Sequence, residues 1–367
     1  MLTGKINKEI VCSLILGLYI LLVLAYYFIG SFRFVFLPLI LFLSFVSLMC
    51  TQIPKRIVLY LFTPYICVFF IGFLIQLLQN RIFPFILFIP ASAFLGYFIF
   101  KNKFDLKILY IILIVISSVF IYKFVIYRSF EEVFFDLSRN YVSVFYIMFS
   151  SLITIIILRQ TEKIVIFPFF LAFVFSFMAI GRAGIICTLT LLIITLFFRF
   201  KKMKLRQKKI LGLVIILPLL FIIILEYDKM ILLFDGISFL ERFSEKGVKS
   251  PSRGILLAEY MGNINIKTFI GGYNFDHNHW FIHYGLNPHN SYIRMHSRIG
   301  IMSLFFIFTI LLIIMRFLSK KSLLLLSIIV IILVRAWTDT FLFLGFYDFI
   351  LVYLLLLVFD KEPLLTD

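Results

Sequence analysis

Hydrophobic runs close to the length that crosses a bilayer recur along almost the whole chain, and polar residues are confined largely to the connectors between them. About 20 apolar residues in a helix span the ~30 Å hydrocarbon layer. By that measure the pattern predicts helices at roughly 10–29, 33–50, 57–78, 82–100, 107–127, 140–158, 164–180, 184–199, 210–226, 298–316, 322–338 and 341–359. These runs are too long and continuous for membrane β-strands, which alternate apolar and polar positions. The expected fold is an all-α polytopic membrane protein of about twelve transmembrane helices. One interval breaks the monotony, from about Glu226 to Ser297, and is read as a single large extracytoplasmic loop between helices 9 and 10. The chain then divides into helices 1–9 over 1–225, the loop over 226–297, and helices 10–12 with a short cytoplasmic tail over 298–367.

Composition sharpens this picture. With 63% hydrophobic and 14% charged residues the chain lies outside the range of soluble domains. The formal charge of +17 invites a nucleic-acid partner, but Lys and Arg sit mainly in short connectors, where they orient helices. No basic segment outside the runs is interleaved with stacking aromatics, so nucleic acid is not expected. Alternate connectors hold most of these charges, which predicts cytoplasmic N- and C-termini. The four cysteines, Cys12, Cys50, Cys67 and Cys187, lie in or at the ends of apolar runs and imply no disulfide framework. The first run is longer than a signal-peptide core and lacks a small-residue cleavage site, so it is expected to remain as a helix.

Two connectors stand out. Lys201 to Lys209 is strongly basic and reads first as a topology signal, although it also suits anionic lipid. In the long loop, Ile231, Leu232, Phe234, Ile237, Phe239, Leu240 and Phe243 could form an apolar face lying on the membrane. Ser250-Pro251-Ser252 predicts a helix start, with a run to about Tyr260 and a stop at Gly262-Asn263. Gly271-Gly272 marks a turn.

Chemistry is concentrated nearby, because all five histidines fall between His277 and His296. In Asn287-Pro288-His289-Asn290-Ser291-Tyr292, proline fixes the backbone before His289, and Asn290 or Ser291 could cap the helix that follows. An imidazole held there suits a general base near neutral pH; an interfacial loop that merely solvates a helix end is the plainer reading. Arg182, in Gly181-Arg182-Ala183-Gly184, lies between two apolar runs. Such placement costs about 2.5–3.5 kcal/mol on insertion scales, so the side chain should face protein, water or an anion, or else snorkel from a helix end. Arg253 opens the loop helix, where guanidinium and helix N-terminus could act together on an anion, or the side chain could simply be exposed. His279 and His283 have an i,i+4 spacing compatible with a metal, but no HExxH pattern, cysteine ligand or second carboxylate accompanies them, and none is expected to bind one. There is no P-loop and no dinucleotide fingerprint, so an activated substrate must bring its own leaving group and no cofactor is expected.

Taken in order, Gly181-Arg182-Ala183-Gly184, Ser252-Arg253-Gly254, Phe269-Ile270-Gly271-Gly272-Tyr273 and Pro288-His289-Asn290-Ser291-Tyr292, followed by Gly300, resemble the O-antigen ligase and Wzy-type O-antigen polymerase superfamily of bacterial envelope glycosyltransferases. The likeness covers roughly Met178 to Gly300; the first six helices match in hydropathy alone. Gly181 departs from the family pattern, which often has serine before its arginine, and so does Arg294-Met295-His296, where an acidic residue often follows the histidine motif. The resemblance implies a GT-C-like, inverting, metal-independent enzyme of the bacterial inner membrane that joins undecaprenyl-diphosphate-linked oligosaccharide repeat units into surface polysaccharide. It implies that Arg182 and Arg253 hold the diphosphate, that His289 deprotonates the acceptor hydroxyl, and that Asn290 and Tyr292 orient sugar or imidazole. A chain-length regulator and a flippase are the implied partners beside the lipid bilayer. Two alternatives remain: a ligase that moves finished polysaccharide to the lipid A core, and a flippase or transporter for lipid-linked oligosaccharide. Transporters concentrate ionisable residues at the midplane and often show repeated halves, which this sequence lacks.

Overall fold

The computed structural model describes residues 7–81, 83–127, 133–134, 138–203 and 251–360, with backbone alone for Pro251 and Ser252. Among them the chain is helical, without a strand. Its helices are α1 (Lys8–Phe28), α2 (Arg33–Met49), α3 (Lys55–Leu78), α4 (Pro84–Lys101), α5 (Leu106–Tyr127), α6 (Asn140–Thr161), α7 (Phe167–Met178) and α8 (Arg182–Lys202). After the interval 204–250 come α9 (Pro251–Gly262), α10 (Ile266–Gly271), α11 (His279–His283), α12 (Ser291–Ser319), α13 (Leu323–Thr338) and α14 (Phe349–Phe359). Among the described residues, eight segments are long and apolar enough to cross a membrane: α1, Gly30–Met49, α3, α4, α5, α6, α8 and α12; α7, α13 and α14 are shorter apolar helices. The chain is a multi-pass membrane protein. The helix expected at 210–226, the apolar face from Ile231 to Phe243, and the basic run beyond Met203 lie outside the described residues.

The bundle is built around α6. Every residue from Tyr141 to Leu158 is buried, so this helix meets protein on all sides, whereas Phe34, Phe42, Phe45 and Met49 of α2 are exposed, as suits contact with lipid. Close approach depends on small residues. A Cβ at Gly184 of α8 would collide with Ser143 of α6, and one at Gly96 of α4 would meet Val352 Cβ of α14 at 2.6 Å. In α3 the stretch Val58–Phe62 widens into a π turn. Pro64 has no N–H for the Tyr60 carbonyl, and the widened turn accommodates that missing bond.

Two boundaries differ from the hydropathy pattern. Helix 10, expected from about 298, starts at Ser291, so the expected domain boundary at 297/298 falls inside α12. The reason is local: the Asn290 side chain accepts the N–H groups of Tyr292 (2.9 Å) and Ile293 (3.2 Å), starting the helix before the apolar run begins. The last run, expected to be helical from 341, is non-helical up to Asp348. There the Asp348 carboxylate accepts the N–H groups of Phe343 (2.7 Å) and Gly345 (3.0 Å). The Ser291 hydroxyl accepts those of Phe341 (3.1 Å) and Leu342 (3.2 Å) while donating to the Asp339 carbonyl (2.7 Å). Phe343 and Leu344 take left-handed backbone angles of +60° and +59°. Side chains thus supply the partners that a helix would have supplied.

The helices α9 to α11 and their connectors form a small module whose core of Leu256, Tyr260, Phe275 and Phe281 also takes in Ile293 of α12. It is pinned to the bundle through His296 of α12. The Phe269 carbonyl accepts from His296 Nε2 (3.1 Å), so Nδ1 is the acceptor for the Tyr260 hydroxyl (2.7 Å). Arg81 adds bonds to Asn274 and Asp276, each 2.9 Å, and Gln79 donates to the Gly271 and Gly272 carbonyls.

Candidate functional site

The module, the start of α12 and the end of α13 enclose a cavity of about 200 Å³. Arg253, Leu257, Pro288, His289, Asn290, Ile293, Trp337 and Thr338 line it. His289 is placed by a constrained turn. Its φ is +48°, in the left-handed region, and its N–H donates to Asn287 Oδ1 at 2.9 Å. A left-handed histidine is costly enough that surrounding contacts must hold it. Here Asn290 caps α12 immediately after it, and Thr340 Oγ1 bonds Asn287 Oδ1 at 3.2 Å.

The electrostatics follow from burial and four charges. Burial pushes the His289 ring below the ordinary histidine pKa; Asp339 works against that shift and Arg253 adds to it. Burial likewise lowers the pKa of the Arg253 guanidinium, with Asp339 opposing and Arg335 and Arg182 reinforcing. Arg335 and Arg182 therefore lie within electrostatic reach of Arg253, with Asp339 the carboxylate that acts on both Arg253 and His289. Arg335, about 1% exposed, donates to Thr338 Oγ1 (2.8 Å), the Asn140 carbonyl (3.0 Å), Ser143 Oγ (3.3 Å) and Asp339 Oδ2 (3.3 Å).

The structure brings His289, Arg253 and Asn290 together on one cavity and sets Arg182, the first residue of α8 behind its Gly181 N-cap, close enough to act on Arg253. Tyr292 does not line that cavity. Its hydroxyl donates to the Leu333 carbonyl (3.3 Å), and its ring packs against Trp337 (5.9 Å) and Phe343 (5.2 Å). Asn290 lines the cavity, but its Oδ1 is committed to the cap. His279 and His283 lie at the two ends of α11, outside the cavity lining. No group of three His, Cys, Asp or Glu side chains among the described residues is arranged to hold a metal ion.

Arg335, Trp337, Thr338 and Asp339 are not among the site residues that the sequence suggests. The available signal was an arginine and an aspartate four apart at the end of an apolar run, a pairing that membrane insertion cost favours. Chemically, the arrangement joins a half-buried imidazole, whose neutral form burial favours, to a cationic wall with its own counter-ion. It can remove a proton at one side of a small cavity and hold negative charge at the other. Comparison with protein families, with curated proteins and with solved structures finds no match for this chain.

Proposed function

We propose that the chain is a membrane glycosyltransferase that joins lipid-diphosphate-linked oligosaccharide repeat units into a surface polysaccharide. The observation that carries this reading is the shared cavity, in which the His289 imidazole and the Arg253 guanidinium face the same ~200 Å³ space. The acceptor hydroxyl gives its proton to His289 as its oxygen bonds to the anomeric carbon of the donor sugar. The bond from that carbon to the diphosphate oxygen breaks, and the leaving diphosphate takes the electron pair. Arg253, reinforced by Arg182, stabilises the charge that develops there through charge-assisted hydrogen bonds. Attack opposite the leaving group inverts the anomeric centre. In this reading the enzyme is GT-C-like, has twelve spans with both termini in the cytoplasm of a bacterial cell, and works at the outer face of the inner membrane beside a flippase and a chain-length regulator.

The test compares polymer formation with lipid-linked donor binding in purified, correctly folded protein. His289→Ala should lower turnover by about 10²–10⁴ and leave donor binding nearly unchanged. Arg253→Ala should weaken binding as well, since a charged hydrogen bond is worth about 1.5–3 kcal/mol. Arg253→Lys should rescue in part, because an ammonium lacks the planar two-pronged geometry. A folded His289→Ala protein that polymerises at the normal rate overturns the reading.

A further inference from the structure

A second cavity lies away from His289, among the helices α3, α12 and α14. The first two touch at Tyr65, whose ring meets Phe305 at 5.1 Å and Phe306 at 6.2 Å. They touch again at Gly72, where a Cβ would stand 2.8 Å from Ile299. On the Lys55 side of these contacts they leave a space of about 480 Å³, more than twice the 200 Å³ of the His289 cavity, backed by Leu355, Leu356 and Phe359 of α14. Leu61, Tyr65 and Leu356 are buried in its floor, while Tyr60 and Phe308 on its rim are 76% and 62% exposed. The space is therefore a groove open sideways, and beside a membrane-spanning helix what it opens to is the bilayer. The widened turn Val58–Phe62 forms part of its wall through Tyr60 and Leu61, and such π turns recur at functional sites.

The groove suits hydrocarbon. Its lining is mainly aliphatic and aromatic, and the Thr309 hydroxyl is spent on the Phe305 carbonyl (2.8 Å). Apolar cavities of this kind take up apolar ligands in preference to water. From Arg56 to Tyr65 the wall rises about 14 Å, close to half of the ~30 Å hydrocarbon layer and so the depth of one leaflet. The mouth is cationic. Arg56 lines it beside the exposed Lys55, and Arg316, in the last turn of α12, holds its guanidinium 5.8 Å from the ring centre of Phe359, itself a lining residue. Lys320 and Lys321 follow. These five cations outnumber Asp360, Glu362 and Asp367, the acidic residues at the end of α14 and beyond it, so this end stays basic whatever pairs form within it.

We infer that the groove binds one anionic phospholipid, with an acyl chain between α3 and α12 and the headgroup phosphate on Arg56 and Arg316. The lipid belongs to the leaflet at this end, cytoplasmic in the orientation proposed above, where basic residues beside membrane helices attract anionic headgroups. The site is independent of the proposed reaction.

The test titrates the full chain, purified in detergent, with phosphatidylglycerol and with phosphatidylcholine of the same acyl chains, and counts retained lipid by native mass spectrometry. One phosphatidylglycerol per chain should be held about tenfold or more tightly than phosphatidylcholine, the smaller effect of one charged hydrogen bond. Arg56→Gln combined with Arg316→Gln should bring the two lipids level; both side chains are exposed, so the packed core is left intact. Leu312→Trp, which fills the groove, should reduce the retention of both lipids. Lys107→Gln removes an exposed cation at the same end but off the groove, and should keep the full preference. No retained lipid, equal retention of the two, or a preference that survives the double arginine change or vanishes in Lys107→Gln overturns the site. Retention unaltered by Leu312→Trp overturns it as well. So does a short-chain polyprenyl diphosphate that displaces phosphatidylglycerol at lower concentration, which would make the groove a carrier-lipid site.

Discussion

An imidazole that accepts a proton works while it is neutral, and burial at His289 favours that form. The acid limb of the rate profile should therefore fall below the ordinary histidine value of 6.5, with full activity retained at pH 7. Stability has the same sign. A folded pKa below the unfolded one means that the unfolded chain binds the proton more readily. The His289 contribution is then complete above about pH 6.5 and disappears as pH falls through the folded value. An activity profile from pH 5 to 8, run beside thermal melts, checks both; an acid limb centred above 6.5 contradicts the burial argument. At this scale legibility followed rarity. His289 and Arg253 were readable because polar side chains are few in so apolar a chain, and the tight spacing after Pro288 limits what His289 can do. Asn290 was readable as a cap for the same local reason. Arg335 was not, because its bonds to the Asn140 carbonyl and Ser143 Oγ depend on how α6 and α13 pack; its spacing from Asp339 was there in the sequence but carries no sign of that packing. Tyr292 showed the converse: a motif position whose hydroxyl goes to a neighbouring helix.

At the scale of elements, α12 is the joint between module and bundle, and Gly300 is its tightest point. Gly300 has φ +51°, and a Cβ there would strike the Ile270 carbonyl oxygen, with Gly271 C and Gly272 N each at 2.8 Å. Gly300→Ala combines left-handed strain with overpacking against backbone, for a loss of about 2–4 kcal/mol. Gly262→Ala, where nothing lies within 4 Å of the added Cβ, should be close to neutral. Thermal unfolding in detergent distinguishes them, and equal melting temperatures would contradict the packing described. Among the described residues, most helix positions were legible from hydropathy because each run must satisfy its own backbone in lipid. The start of α14 was not: a hydropathy run carries no sign that the Asp348 carboxylate and the Ser291 hydroxyl replace helical bonds. Nor does it show that the Asn290 cap moves the start of α12 seven residues ahead of the apolar run.

The whole molecule has two chemically different ends. At one, Arg159 pairs with Asp360 (2.9 Å), Lys320 Nζ donates to the Asp360 carbonyl (2.9 Å), and α8 finishes in Arg199, Lys201 and Lys202. At the other, the starts of α6, α8 and α12 meet the end of α13 around the His289 cavity. In the orientation proposed above, which follows the positive-inside rule, the first end faces the cytoplasm. Reporter fusions after Lys204 and Lys320 should then report cytoplasm, and fusions near Lys246 and Asn287 the outside. A cytoplasmic signal at Lys246 would remove the outer-face reaction. The helical class and membrane placement were legible from composition and run length; sidedness rests on the distribution of Lys and Arg.

Trp337 in the wall of the first cavity also has a spectroscopic consequence. The chain carries two tryptophans, Trp280 and Trp337, and the latter lines that cavity while remaining half exposed. In a Trp280→Phe protein the remaining indole is the single emitter and sits where a ligand displaces water. Saturating polyprenyl diphosphate should shift its emission to the blue and reduce quenching by iodide, so occupancy can be followed by light without a labelled substrate. Saturation with no change in emission would mean that the ligand sits elsewhere.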